Sequence, residues 1–120
     1  MSLPLTPNIA QEGYGRAFAN IAASTTDGVV KAAVTGSSLR VVAVVLSPAT
    51  VATPSSVIFN TKPGGAGTAI SATLVPTTVG SLPFNPAGWF ETVKSEGLTV
   101  TTGVGSTTGI QVIYSVVKQE

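Results

Sequence analysis

The chain has 120 residues and a net charge of +1, with 9 % charged and 43 % hydrophobic residues and neither His nor Cys. An average soluble domain is about one quarter charged. The surface here must therefore be covered largely by Ser, Thr, Asn, Gln and backbone, which suits burial against copies of the same chain or against a partner. The composition excludes disulfides, thiolate metal sites and a Ser-His-Asp triad, and six scattered basic residues do not support nucleic-acid binding.

Residues 1–13 carry two prolines, few charges and no hydrophobic periodicity. We predict that they form an extended N-terminal arm, followed by a single β-sandwich domain over residues 14–120. Leu3, Leu5 and Ile9 are candidates for docking onto a neighbouring surface, and a frayed terminus is the alternative. The arm lacks the basic stretch and long apolar run of a signal peptide, so we expect a soluble protein made in a cytoplasm.

After the arm, the sequence predicts β-strands throughout, because Val and Thr are abundant and Gly and Pro recur as turn residues. Tyr14, Arg16 and Phe18 alternate with small residues at the period of two that is typical of a strand. No segment favours a helix longer than about two turns. The predicted strands are 14–21, 29–34, 39–46, 56–61, 68–75, 79–84, 88–93, 98–102 and 110–117.

The segment from Leu39 to Leu46 is apolar at almost every position. A strand that is apolar at consecutive positions is typical of the middle of a sheet with both faces buried, and we predict that arrangement here. The segment is too short to span a membrane, because a spanning helix needs about 20 apolar residues and this run is interrupted by Arg40 and closed by Pro48. We expect no membrane contact.

Short strands separated by regular turn signals are typical of sandwiches, jelly rolls and barrels. We predict an all-β fold, an antiparallel β-sandwich of the jelly-roll type with the extended arm in front of it. No internal repeat and no change of composition indicates a second folded domain.

The residues that carry chemistry do not form a recognisable catalytic or binding motif. The glycine-rich stretch 62–68 has its Lys before the glycines rather than after them, and no helix follows, so a hairpin turn is favoured over a phosphate loop. Glu91 and Glu96 are the only candidate carboxylate pair, and the aromatic cleft of a glycosidase is not evident beside them. We predict no catalytic, cofactor-binding or metal-binding residues, no cofactor, and no enzymatic activity.

Trp89 and Phe90 are adjacent on a predicted strand, so their side chains must point to opposite sides of the sheet. One is expected to fill the core. The other meets a covering loop, a neighbouring subunit, or a sugar that stacks on its ring, and the sequence leaves these three possibilities open. Gly88 is expected to adopt an unusual backbone angle, and Pro86 to fix φ, in a structural corner.

Several segments together resemble a family of small β-sandwich proteins encoded among virion genes of tailed bacteriophages, of the capsid decoration (cement) type. They are Asp27-Gly28-Val29-Val30, Leu39-Arg40-Val41, Pro83-Phe84-Asn85-Pro86-Ala87-Gly88-Trp89-Phe90-Glu91-Thr92, Glu96-Gly97-Leu98 and the strand that contains Tyr114. The resemblance covers residues 27–117, and the Phe-Asn-Pro-x-Gly-Trp-Phe piece is its most specific part.

The resemblance implies a structural protein on the capsid surface of the virion, synthesised in the host cytoplasm. Its partners would be itself, as a homotrimer, and the major capsid protein. The candidate interface residues are Leu3, Leu5, Ile9, Tyr14, Arg16 and Trp89. The alternative function is a carbohydrate- or receptor-binding module of a phage tail or fibre, which an exposed Trp89 in a polar concave groove would favour.

Overall fold

The computed structural model describes residues 14–118. The predicted arm, with Leu3, Leu5 and Ile9, and the last two residues lie outside the described part of the chain. Strands occupy 51 % of the described residues, and none of these residues is helical. The strands are β1 (Gly15–Ile21), β2 (Gly28–Lys31), β3 (Ser37–Pro48), β4 (Val57–Lys62), β5 (Thr68–Ala69), β6 (Gly80–Leu82), β7 (Phe90–Glu91), β8 (Gly97–Thr102) and β9 (Thr108–Lys118).

The strands form two antiparallel sheets that pack face to face. One sheet has the order β1-β9-β3-β6, with β7 also pairing with β3, and the other has the order β2-β8-β4-β5. The prediction of an all-β antiparallel sandwich is therefore confirmed. Its connections are non-local: the first strand pairs with the last, so most of the chain lies between two neighbours in the sheet.

The core lies between the sheets and consists of the inward-facing residues of both. Its largest fully buried side chains include Phe59, Leu39, Leu98, Ile110 and Val44. Phe90 lies against Phe59, with 4.8 Å between the ring centroids, whereas Trp89 is exposed. The two neighbours thus point to opposite sides, as the alternation along a strand requires.

Strand β3 is central, because β9 lies on one side of it and β6 and β7 on the other. The prediction that both of its faces are covered is wrong for the described chain. Val44 faces the other sheet and is buried, but its neighbour Val45 is 40 % exposed on the opposite side. The consecutive apolar residues therefore reflect an apolar outer face at Ala43 and Val45, together with a register shift between Val41 and Ala43 that leaves both Val41 and Val42 buried.

Three predicted strands are much shorter than expected, and side-chain hydrogen bonding explains the clearest case. Within the predicted strand 68–75, only Thr68–Ala69 pairs as a strand, with one further bridge between Leu74 and Val57. Between them the Ser71 hydroxyl, rather than a backbone carbonyl, accepts the Phe59 N–H at 2.9 Å. Serine hydroxyls compete with sheet ladders in this way. The predicted strands 79–84 and 88–93 likewise shrink to Gly80–Leu82 and Phe90–Glu91.

Asp27 ties the start of β2 to the turn between β4 and β5. It lies in a turn with φ of +54°, and its carboxylate accepts hydrogen bonds from Asn60 Nδ2 at 3.2 Å, Thr99 Oγ1 at 3.0 Å and the Gly67 N–H at 3.0 Å. The close approach requires glycine at position 67, because a Cβ there would lie 2.3 Å from Asp27 Oδ1. This contact holds the glycine-rich stretch as a hairpin turn.

Gly67→Ala is expected to destabilise the fold by about 1–3 kcal/mol, because the displaced carboxylate leaves partly buried donors unpaired. Gly64→Ala is the matched control in the same turn, since a Cβ at Gly64 meets no atom within 4 Å. Urea unfolding of both variants measures the difference. Equal unfolding midpoints would show that Asp27 does not hold this turn.

Candidate functional site

The side of the β1-β9-β3 sheet that faces away from the core carries an apolar surface, which we call the outer face. Alternate side chains of each strand point to this side, and the register between the strands places those side chains in rows. Arg16 pairs with Ile113 and Phe18 with Gln111 across β1 and β9, while Ala43 and Val45 continue the same two rows on β3. The outer face is defined by these six residues: Arg16, Phe18, Ala43, Val45, Gln111 and Ile113.

The outer face is concave and presents a large aromatic side chain to solvent. A depression of about 620 Å³ is lined by all six of its residues, together with backbone neighbours on the same strands. Phe18 is 78 % exposed although it sits in the middle of β1. Isolated exposed hydrophobics are ordinary on protein surfaces, whereas contiguous apolar patches are common at interaction sites.

Two further aromatic rings close one end of the outer face. Tyr14 and Phe84 meet edge to face, with 5.3 Å between their centroids, a geometry that the ring quadrupoles favour. A second depression, of about 360 Å³, lies beside them and is lined in part by Arg16 and Ile113. The two depressions share Arg16 and Ile113 and are therefore adjacent. Together we call them the groove, which extends from the Tyr14–Phe84 pair to Phe18.

The corner formed by residues 83–89 holds Phe84 in this position. The Asn85 N–H donates to the Val42 carbonyl at 2.8 Å, and the Trp89 N–H donates to the Val41 carbonyl at 2.7 Å. Between them Gly88 has φ of +91°, which confirms the expected unusual backbone angle. The Trp89 side chain donates its indole N–H to the Pro83 carbonyl at 2.7 Å, so this exposed ring serves first to brace its own corner.

A charged pair lies on β3 and β7 beside the corner. Arg40 Nε donates to Glu91 Oε1 at 3.0 Å, and the Ser38 hydroxyl donates to Glu91 Oε2 at 2.6 Å. Partial burial raises the pKa of Glu91, but the hydrogen bonds from Ser38 and Arg40 and the positive charge of Arg40 outweigh it, so the pKa is lowered overall from its ordinary value of 4.5. Both side chains are about one third exposed, and pairs of this kind stabilise by no more than about 1 kcal/mol. Their role is to fasten β7 to β3.

The structure brings together two of the candidate interface residues and places a third nearby. Tyr14 and Arg16 line the groove, and Trp89 lies in the corner that also carries Phe84. Sequence reasoning missed Phe18, Val45 and Ile113 as members of this surface. The available signal was the alternation of Phe18 with Tyr14 and Arg16 in one strand, which places all three on the same side.

Other kinds of site were sought in the same residues. Within residues 14–118 no three acidic side chains come close enough together to hold a metal ion, and no helix there is long and apolar enough to cross a membrane. Comparison of the chain with protein-family models, with curated proteins and with solved structures finds no match. The outer face is the candidate functional site of the described chain.

Proposed function

We propose that this protein is a structural virion subunit of a tailed bacteriophage, which decorates and stabilises the capsid as a homotrimer and has no catalytic role. The observation that carries the proposal is the groove on the outer face, with the exposed ring of Phe18 at one end. Burying a fully exposed Phe stabilises a contact by about 1.5–3 kcal/mol. A subunit that associates through this face removes that ring and its apolar neighbours from water.

The scarcity of charge supports assembly through the same face. Of the six residues that define the outer face, Arg16 alone is charged. Desolvating ions costs free energy that their pairing does not always return, so a surface with one cation and five uncharged side chains is inexpensive to bury. Closed rings of identical subunits are a common outcome for such chains, and the phage resemblance favours the trimer.

The strand order supports the jelly roll as the finer description of the sandwich. Without the two-residue strand β7, eight strands remain, and they pair as β1 with β9, β2 with β8, β3 with β6, and β4 with β5. Nested pairing of this kind is what results when one long hairpin wraps around a core, as in the two Greek keys of a jelly roll. Many capsid proteins use that architecture, in agreement with the proposed role.

The alternative, a carbohydrate- or receptor-binding module, depends on Trp89 as a stacking platform. Its ring is 41 % exposed, which such a role requires. The larger depression on the outer face is lined instead by Phe18, Val45 and Ile113, without Trp89. Apart from Arg16 and Gln111 this lining is apolar and holds few polar groups that could bind sugar hydroxyls, so the assembly role is preferred.

Phe18→Ser tests the proposal, with Val104→Ser as the matched control. Val104 is 83 % exposed in the β8–β9 loop, away from the outer face. Light scattering is expected to give a trimer for the native chain and for Val104→Ser, and the 12.0 kDa monomer for Phe18→Ser. Circular dichroism should show the same strand content in all three, because Phe18 contributes little to the core.

Co-sedimentation with phage heads assembled without this protein tests the capsid role. The native chain and Val104→Ser should pellet with the heads, whereas Phe18→Ser should remain largely in the supernatant. A native chain that is monomeric at micromolar concentration would overturn the assembly function. A stable oligomer that does not bind heads would overturn the capsid assignment alone.

A further inference from the structure

The outer face is too small to hold two subunits together by itself. With strands about 4.8 Å apart and about 3.4 Å per residue, its three strands cover on the order of 150 Å². A stable protein interface buries about 800 Å² on each partner. An assembly through this face therefore needs more contact area, and residues 1–13 are available to supply it, since they join the described chain at Tyr14, on the rim of the groove.

The sequence of that segment matches the shape and chemistry of the groove. Leu3-Pro4-Leu5-Thr6-Pro7 contains two prolines at the spacing Pro-x-x-Pro, which favours a polyproline II conformation and binds aromatic-lined grooves. Five residues in this conformation extend about 16 Å at 3.1 Å each. The groove from Tyr14 to Phe18 is about 14 Å long at the rise of a strand, and it carries aromatic rings at both ends.

We propose that the groove on the outer face binds the segment Leu3–Pro7 of a neighbouring copy of this chain. The proposal rests on the self-association inferred above and names the part of the partner that the groove binds. Prolines explain why the segment lies across the face rather than along a free strand edge, because Pro4 and Pro7 have no N–H to donate to a ladder. The leucines then supply apolar contacts to Phe18, Val45 and Ile113.

The path of β1 favours a neighbouring copy over the same chain. β1 runs from the Tyr14–Phe84 end of the groove towards Phe18, so the described chain enters the groove at Tyr14 from outside it. This direction favours the groove of a neighbouring copy as the binding site for the preceding segment. A contact between a segment of one copy and a different surface of the next is heterologous. Contacts of this kind form a ring when the rotation between copies closes, and for a trimer that rotation is one third of a turn.

Disulfide trapping between two single-cysteine variants tests the proposal directly, because the native chain contains no Cys. Leu5→Cys and Val45→Cys are purified separately as full-length chains, mixed in equal amounts under reducing conditions and then oxidised. Each chain carries one thiol, so a mixed disulfide forms only between chains, and it requires the two Cα atoms to come within about 7 Å. Leu5→Cys mixed with Val104→Cys is the control for random collision.

We expect the mixed Leu5–Val45 disulfide, identified by mass spectrometry of the linked peptides, to exceed the control disulfide at least tenfold. Equal yields would overturn the proposal, and so would a double variant, Leu5→Cys with Val45→Cys, that closes its disulfide within one chain. Light scattering of the native chain distinguishes a failure of the docked-arm proposal from a failure of the proposed self-association. An oligomer without the Leu5–Val45 link leaves the assembly function standing and refutes the docked arm, whereas a monomeric native chain refutes both.

A second full-length variant measures the energetic role of the arm. Leu3→Ser with Leu5→Ser keeps both prolines and removes the two apolar side chains that the groove would bind. The dissociation constant of the oligomer is expected to rise at least tenfold. Thr6→Ser, in the same segment, should leave it unchanged. An unaltered dissociation constant for the double variant would contradict the proposal.

Discussion

Val44→Asp is expected to prevent stable folding. This is the largest effect that we predict for a single substitution in this chain. Val44 is 1 % exposed on the inner side of β3, with Val112 of β9 and Leu82 of β6 directly beside it in register. Neither neighbour offers a hydrogen bond, so the carboxylate must remain unpaired or take up a proton. Either outcome costs roughly 4–5 kcal/mol, which is close to the whole free energy of unfolding of a domain at the low end of the usual range of about 5–15 kcal/mol.

Val45→Asp is the matched control, one residue along the same strand. Val45 points to the outer face and is beside Gln111 and Ser81 in register, where a carboxylate remains hydrated. We expect Val45→Asp to keep the strand spectrum in circular dichroism while it weakens self-association, and Val44→Asp to give an unfolded spectrum at the same temperature. A folded Val44→Asp with an unchanged urea midpoint would mean that β3 is placed wrongly in the sandwich.

Phe59→Ala is expected to cost about 3–5 kcal/mol, the usual range for removing a buried aromatic ring. Phe59 is completely buried in β4 of the smaller sheet, and its ring lies 4.8 Å from that of Phe90 on β7 of the larger sheet. The substitution therefore leaves a cavity between the sheets and removes an aromatic pair. Because Trp89 directly precedes Phe90 and is the one Trp in the chain, its fluorescence reports unfolding at this place.

Phe59→Leu separates the loss of volume from the loss of the aromatic contact. A smaller apolar residue that nearly fills the site should cost less than about 1.5 kcal/mol. Urea unfolding at one fixed chain concentration gives both values, since the stability of an oligomer depends on concentration. If Phe59→Ala and Phe59→Leu had the same midpoint, Phe59 would not be a central element of the core.

Two features of the fold and the site could be predicted from the sequence because they depend on local properties. The period of two in β1 placed Tyr14 and Arg16 on one side of a strand, and both line the groove. The adjacent pair Trp89 and Phe90 had to point to opposite sides, and Phe90 reaches the core. Alternation in a strand is a property of the backbone, so these predictions did not require knowledge of what the strand packs against.

Other features depended on partners far away in the chain. The segment 68–75 has the alternation of a strand, but the Ser71 hydroxyl accepts the Phe59 N–H and interrupts the ladder. A hydrogen bond of this kind cannot be predicted from the sequence, because it depends on how the two segments lie beside each other in the fold. The same holds for Asp27, whose three hydrogen-bond donors come from positions 60, 67 and 99.

The sequence by itself determined that this chain forms strands rich in Val and Thr around an apolar core, and that its surface carries little charge. These properties follow from composition and period, which act within a few residues. The tertiary structure alone decided which of two adjacent valines is buried. Val44 and Val45 are equally apolar, but a second sheet covers one side of β3 while the other side stays open. The groove between the Tyr14–Phe84 pair and Phe18 exists because that side of the sheet has no covering layer within the described chain.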